Sequence, residues 1–431
     1  MDSIVLDVIN HLQWCDDTLI RNKQVKCNPK SIHARTVKKH ELLKEKWYLH
    51  DMINPEWIPT HMFSLVSKFA YILPNHHPEE NRRNLTIVMY ARSEETCRRF
   101  MDDYSQRIRR WLGVMFHHKN TDNHKRNNQS STNSTNSTNS TNSCNVKNVT
   151  LHWLLLDVPR QTQQQQPTSS HGNTRNMSEA DTTQSHTITP YDVNGAYTYP
   201  CQPNGLIVLF RIENAMKVLI HETVHLFGYD SSLYNNHHNQ NNIEVKRNNS
   251  SFEINLREVR CEVYARLYGV GELVHEMVSR GKIPPKTQYI RTEIMRLLRK
   301  NATWGITRAH LLLRYASGHT KGLIDVSPYM VMENRPHMPV SSWYKEKTPA
   351  FSYYVATGIL LYALVGYPEL MQIGEIHEIV QELFVVKGKS VKLRRPVMLA
   401  IWNDIENELL HFETAKHDKV STQSLSMFLT K

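Results

Sequence analysis

Apolar residues along the chain follow two rhythms. Asn84–Ser93 (NLTIVMYARS), Val149–Val158 (VTLHWLLLDV), Tyr191–Tyr199 (YDVNGAYTY) and Gly205–Phe210 (GLIVLF) are short β-prone runs and read as strands. Helical spacing marks residues 94–118, 212–227, 252–268, 271–280, 291–298, 308–315, 350–364, 373–384 and 399–412. Residues 1–83 also look helical and mixed in charge, and no chemistry can be assigned to them. Three polar tracts interrupt the pattern. Residues 120–148 carry a short Asn-Ser-Thr repeat, 160–189 contain Gln163 to Gln166, and 231–251 are rich in asparagine. The first two cannot bury enough apolar surface to fold, and they read as disordered insertions in surface loops. The expected organisation is a helical region over 1–83, a strand-and-helix region over 84–230, a polar loop over 231–251 and a helical region over 252–431. That is an α+β chain.

The run Ile212–Asp230 (IENAMKVLIHETVHLFGYD) changes this from a fold to a chemistry. It contains His221-Glu222-Thr223-Val224-His225. Residues four apart share a helix face, so both imidazoles can point at one metal ion. Glu222 can then take a proton from a water bound to that metal, the HExxH arrangement of zinc hydrolases. Three other His-Glu pairs serve as internal controls: His40-Glu41, His275-Glu276 and His377-Glu378 have Lys44, Ser279 and Gln381 at the fifth position. Only the pair at His221 is completed. The surrounding Met216, Val218, Leu219, Ile220, Val224 and Phe227 make the helix apolar on more than one face, so it should be buried. Buried imidazoles and a carboxylate are costly unless they bind something. Gly228 is suited to close the helix in the left-handed conformation.

Composition adds less. The formal charge of +11 and pI near 9.2 allow attraction to anions. Arg98, Arg99, Arg107, Arg109 and Arg110 read as a solvated helix face, and Lys392 to Arg395 as surface. Six cysteines, at 15, 27, 97, 144, 201 and 261, form no CxxC pair; they point to neither a zinc finger nor a disulfide framework, and a reducing compartment is expected. The acidic N-terminus lacks the basic start of a secretory signal. Ala350–Gly366 is the only membrane candidate and reads better as a buried helix.

A catalytic zinc needs a third protein ligand. Glu258 and Glu262 lie four apart on the next helix; if one binds zinc and the other accepts a hydrogen bond from a zinc-bound histidine, their mutual repulsion is relieved. HETVH followed by Glu258-Val-Arg-Cys-Glu262 resembles the gluzincin pattern of zinc metallopeptidases. The resemblance implies a zincin-like core, a small twisted sheet supporting the active-site helix and followed by a mainly helical region. It implies zinc bound by His221, His225 and Glu258, with Glu262 behind a ligand. Aspartate is commoner at that outer position, which leaves open which glutamate touches zinc. An edge strand of such a sheet pairs with extended substrate, and Tyr191–Tyr199 is the candidate. The runs from Ile207 to Asp230, Glu258 to Leu267 and Phe351 to Leu364 also resemble metallopeptidase-like proteins encoded by large DNA viruses. On that resemblance Tyr353 or Tyr354 could donate a hydrogen bond to the oxyanion; a buried aromatic pair is the plainer reading. Ser231 occupies the last position of the metzincin motif and is no zinc ligand. Asp230, one residue earlier, is an alternative ligand or outer partner.

The chain is thus expected to hydrolyse peptide bonds in a peptide or protein substrate with one Zn2+, inside a host cell or a virion if viral, without a nucleic-acid or membrane partner. Two other classes stay open. One is an inactive zincin-like metal-binding interaction protein, against which the intact Glu222 argues; the other is a basic nucleic-acid-binding protein, which would need a contiguous Lys/Arg face.

Overall fold

A computed structural model describes residues 2–14, 17, 25–27, 33–72, 82–130, 144–158, 187–212, 214–229, 242–247, 250–317, 345–372, 376–384, 397, 400–405 and 407–408. In chain order its elements begin with α1 (Asp2–Trp14), β1 (Val25–Cys27), β2 (His33–Lys38), α2 (Lys39–Leu42), β3 (His61–Ile72), β4 (Arg82–Ala91), α3 (Glu94–Ser130) and β5 (Asn148–Leu154). They continue with β6 (Thr187–Ile188), α4 (Pro190–Val193), β7 (Ala196–Thr198), β8 (Asn204–Leu209), α5 (Ala215–Leu226), β9 (Asn242–Arg247), β10 (Ser250–Asn255), α6 (Leu256–Ser279), α7 (Thr287–Ser317) and β11 (Lys345–Glu346). A π-helical turn (Phe351–Ala356) and helices at Thr357–Gly366 and Ile376–Phe384 follow. The fold is mixed α and β, in keeping with the α+β class. It divides into two units, Met1–Val158 with Asn194–His238 and Cys261–Leu298, and Pro159–Val193 with Asn239–Arg260 and Arg299–Lys431.

The first unit is built on a sheet of order β1-β3-β4-β5-β8-β7, with β2 also on β3. β4, β5 and β8 run parallel; β3 and β7 are antiparallel to their neighbours. A parallel step needs a crossover, and α3 supplies the one from β4 to β5. Alternation then sorts the side chains. Leu85, Ile87, Met89, Leu151, Trp153, Ile207 and Leu209 face one core, shared with Trp111 and Phe116 of α3 and Leu219, Ile220 and Leu226 of α5. Val88, Tyr90, Leu154 and Val208 face a second core closed by Leu42, Trp47, Tyr48, Ile53 and Ile58. Packed against a core on each face, these central strands are mostly apolar, which is why they were legible as strands.

Several expectations need correction. Residues 1–83 are not a helical region apart: β2 and β3 lie within them, and β3 pairs with β4 across that boundary. Met62, Leu65 and Phe69 fit helical spacing, and the long antiparallel ladder to the next strand, β4, decides the matter. α3 continues to Ser130, into the low-complexity tract that was expected to be disordered. Residues 131–143 and 159–186 lie outside the described residues. The 191–199 run is a strand only at β7; Thr189 N–H and Oγ1 both donate to Asp192 Oδ2 at 2.7 Å, and with Pro190 at the first helical position they start α4. β7 is nonetheless the sheet's edge.

In the second unit, part of the supposed polar loop over 231–251 and the start of the expected helix at 252 form the β9–β10 hairpin. Asn255 Oδ1 accepts from the backbone N–H of Arg257 at 3.1 Å and of Glu258 at 3.3 Å and so starts α6 four residues later than expected. The helices expected at 291–298 and 308–315 are one, α7. Its Gly305 meets Gly358 so closely that a Cβ on Gly358 would lie 2.7 Å from the Gly305 carbonyl oxygen. Residues 399–412 are helical where described, over 400–405 and 407–408.

The cysteine reading also changes. Cys144 and Cys201 form a disulfide, Cα to Cα 4.7 Å, across a sequence separation of 57. No motif announced it; β5, β7 and β8 bring the two ends together. Cys97 and Cys261 are buried thiols that form no disulfide. No helix among the described residues is long and apolar enough to cross a membrane.

On β5, His152 stacks on Trp47 with ring centroids 4.5 Å apart, and its Nδ1 lies 3.1 Å from the Tyr90 hydroxyl. Burial lowers its pKa to about 4. A histidine whose folded pKa lies below its unfolded value near 6.5 costs stability as pH falls from that value towards 4. Urea unfolding at neutral pH and near pH 4 should show a loss of at most about 3 kcal/mol from this residue. His152→Phe should remove that part of the pH dependence.

Candidate metal centre

The path to the centre starts where β8 ends. Arg211, buried, donates from Nε to the Asn194 carbonyl at 2.7 Å and from a terminal nitrogen to that of Val158 at 2.9 Å, with its guanidinium over Trp57. The chain then turns through Asn214, at φ 57, into α5. All twelve residues of α5 are buried. Its end is a Schellman motif: Gly228 N–H donates to His225 O at 2.9 Å and Tyr229 N–H to Val224 O at 3.0 Å, with Gly228 at φ 67, as its glycine suggested. Inside the HETVH run, Thr223 Oγ1 accepts from Trp111 Nε1 at 2.8 Å and donates to Ile220 O. That bond fixes the rotation of α5 against α3.

This rotation turns the histidines towards α6. His221 and His225, four apart, have their Nε2 atoms 3.2 Å from each other. Glu258, half-buried on the first turn of α6, offers a carboxylate oxygen, and the three ligand atoms lie within 4.8 Å of one another. Glu222 is buried at the adjoining position of α5.

The other imidazole nitrogens are engaged from the next turn of α6. His221 Nδ1 lies 3.2 Å from Glu262 Oε2, and His225 Nδ1 lies 3.4 Å from Cys261 Sγ. Glu262 is fully buried, and its Oε2 also contacts Lys217 Nζ, while its Oε1 accepts from Arg266 Nε at 3.1 Å. Burial alone would raise the Glu262 carboxyl. The Lys217 ammonium, the His221 hydrogen bond and Arg266 outweigh it and hold the group well below the usual carboxylate range. Facing an ionised carboxylate, His221 Nδ1 carries the proton, so its Nε2 lone pair points at the shared point.

These residues fit a zinc ion. Two imidazoles on a tetrahedral zinc, each at about 2.0–2.1 Å, would hold their nitrogens about 3.3 Å apart. The 3.2 Å separation is close to that. A nitrogen, nitrogen and carboxylate-oxygen set is one that zinc takes, with a fourth position left for water.

Of the residues singled out in the sequence, His221, His225 and Glu258 come together, and Glu262 stands behind His221. Asp230 lies outside the described residues, as do His237, His238 and His319. Tyr353 and Tyr354 are on the π-helical turn whose Ser352 Oγ accepts from Asn255 N–H at 2.8 Å, just before α6. Tyr354 is completely buried and Tyr353 partly exposed. Lys217, Arg266, Cys261 and Trp111 were missed. Spacing held a signal for two of them: Lys217 is four residues before His221, and Arg266 four after Glu262, so each continues a helix face already under suspicion.

Comparison of the chain with protein-family models, with curated proteins and with solved structures finds no match.

Because Gly228 sits at positive φ, Gly228→Ala should destabilise the folded chain by about 1–2 kcal/mol, read by chemical denaturation. A change near zero would show that α5 does not depend on this cap.

Proposed function

We propose that the chain is a zinc-dependent peptidase of the gluzincin type that hydrolyses peptide bonds. The observation that carries the reading is the convergence of His221, His225 and Glu258 within 4.8 Å, with Glu222 beside the first histidine. His221, His225 and Glu258 would hold the ion. When bound, zinc supplies a Lewis acid that acidifies water and polarises a carbonyl.

The protein's own groups do the rest. The Glu222 carboxylate takes a proton from the attacking water and later passes it to the leaving amine. Glu262 orients the His221 ring through Nδ1, and Cys261 faces the corresponding nitrogen of His225. β7 is a sheet edge that lies against α5, and an extended substrate adding to it would bring its backbone alongside the metal helix. Tyr353 and Tyr354 are the residues the family resemblance offers for a hydrogen bond to the developing oxyanion, and Tyr353 is the partly exposed member of the pair.

The test is digestion of a diverse peptide mixture by the purified full chain, with cleavage sites read by mass spectrometry. Cleavage should stop when the metal is chelated and return on adding zinc. Glu222→Gln should lower the rate by about 10²- to 10⁴-fold. A zinc-loaded wild type that cleaves nothing in the mixture, or a Glu222→Gln variant as fast as wild type, would contradict the reading.

A further inference from the structure

Lys217 is the anomaly of α5. It is the one lysine or arginine in a helix whose every residue is buried, and its side chain is 4% exposed. A buried ammonium is expensive unless it is paired, and a lysine on an apolar helix has no packing reason to be there. Its partner is Glu262, whose side chain is 1% exposed. Glu262 is shared: one oxygen meets Lys217 and His221, the other meets Arg266, itself 2% exposed. Lys217 lies one helical turn before His221, so the ammonium and the imidazole approach the same oxygen from the same face of α5.

Two consequences follow from this arrangement. The first is that the Glu262 carboxylate has no rotational freedom left, since both oxygens are held by groups from two helices. His221 Nδ1 is therefore offered an acceptor at a fixed point, and the ring's other nitrogen is aimed by it. The second concerns the choice between two glutamates one turn apart on α6. Glu258 and Glu262 could each serve a metal, and Glu262 is kept from doing so because it is held at His221 Nδ1, away from the Nε2 that faces His225. We propose that Lys217, with Arg266, is a positioning residue that locks Glu262 as the acceptor behind His221 and thereby leaves Glu258 as the metal's carboxylate ligand. This inference rests on the metal reading above. Lys217 acts through Glu262 and touches neither metal nor substrate.

The experiment is zinc affinity of the full chain, measured by competition with a chromophoric chelator. The variants are Lys217→Met, Lys217→Arg, Glu262→Gln and the double Lys217→Met/Glu262→Gln, each also melted without metal. Lys217→Met and Glu262→Gln should each weaken zinc binding about 10- to 100-fold, the range for partners behind a ligand. The double variant should lose no more than the worse single one, and Lys217→Arg should stay close to wild type. Additive losses, or a Lys217→Met protein that melts lower yet binds zinc like wild type, would make Lys217 a structural clamp and overturn the inference alone. A wild type that takes up no zinc would remove the metal reading and this inference together. If Lys217→Met does not fold, the double variant, which leaves no ionised carboxylate without its lysine, carries the test: it should bind zinc as Glu262→Gln does, and weaker binding than Glu262→Gln would overturn the inference.

Discussion

A carboxylate almost without access to water sits where α5 meets α6, and the candidate centre is arranged around satisfying it. Glu262 is held ionised there by an ammonium, a guanidinium and an imidazole N–H. Taking those charges out of water carries a cost of several kcal/mol per ion, repaid only by good geometry. The repayment fixes the spacing and rotation of two helices at once. It also fixes which nitrogen of His221 is protonated, and so which one is available to a metal.

The sheet turns that local arrangement into a rigid one. α3 and α5 pack on one face, and Trp111 of α3 reaches α5 through Thr223 and α6 through Tyr268, with ring centroids 5.3 Å apart. Arg107 of α3 adds a bidentate pair to Glu272 of α6. Three helices are thus cross-linked by polar contacts set within apolar packing. A metal site needs its ligands held within fractions of an ångström, and side chains locked by packing and hydrogen bonds on regular elements achieve this better than loops do.

The sequence made much of this readable, for reasons that differ by element. β4, β5 and β8 were plain because strands with a core on each face carry mostly apolar, β-prone residues. His221, Glu222 and His225 were plain because a four-residue spacing is itself a geometric statement, and the same spacing pointed to Glu258 and Glu262. β3 was misread because Ser64, Ser67 and Lys68 interrupt its apolar run, and its ladders to β1 and β2 on one side and β4 on the other make it a strand. The β9–β10 hairpin was missed because its polar composition matches that of a loop. The Cys144–Cys201 disulfide had no signal, since its closure depends on the order of strands in the sheet. Lys217 was hidden by its chemistry: a lysine counts as surface until its buried partner is known.

The central claim is that two histidines of α5 and one glutamate of α6 hold a zinc ion. Elemental analysis of the purified chain, beside Glu222→Gln and Glu258→Ala, tests it most directly. The account predicts about one zinc per chain in wild type, the same in Glu222→Gln, whose substituted residue is no ligand, and loss in Glu258→Ala. A wild type that carries no zinc even after zinc is supplied would contradict it, and the HExxH run would then be an ordinary part of a buried helix.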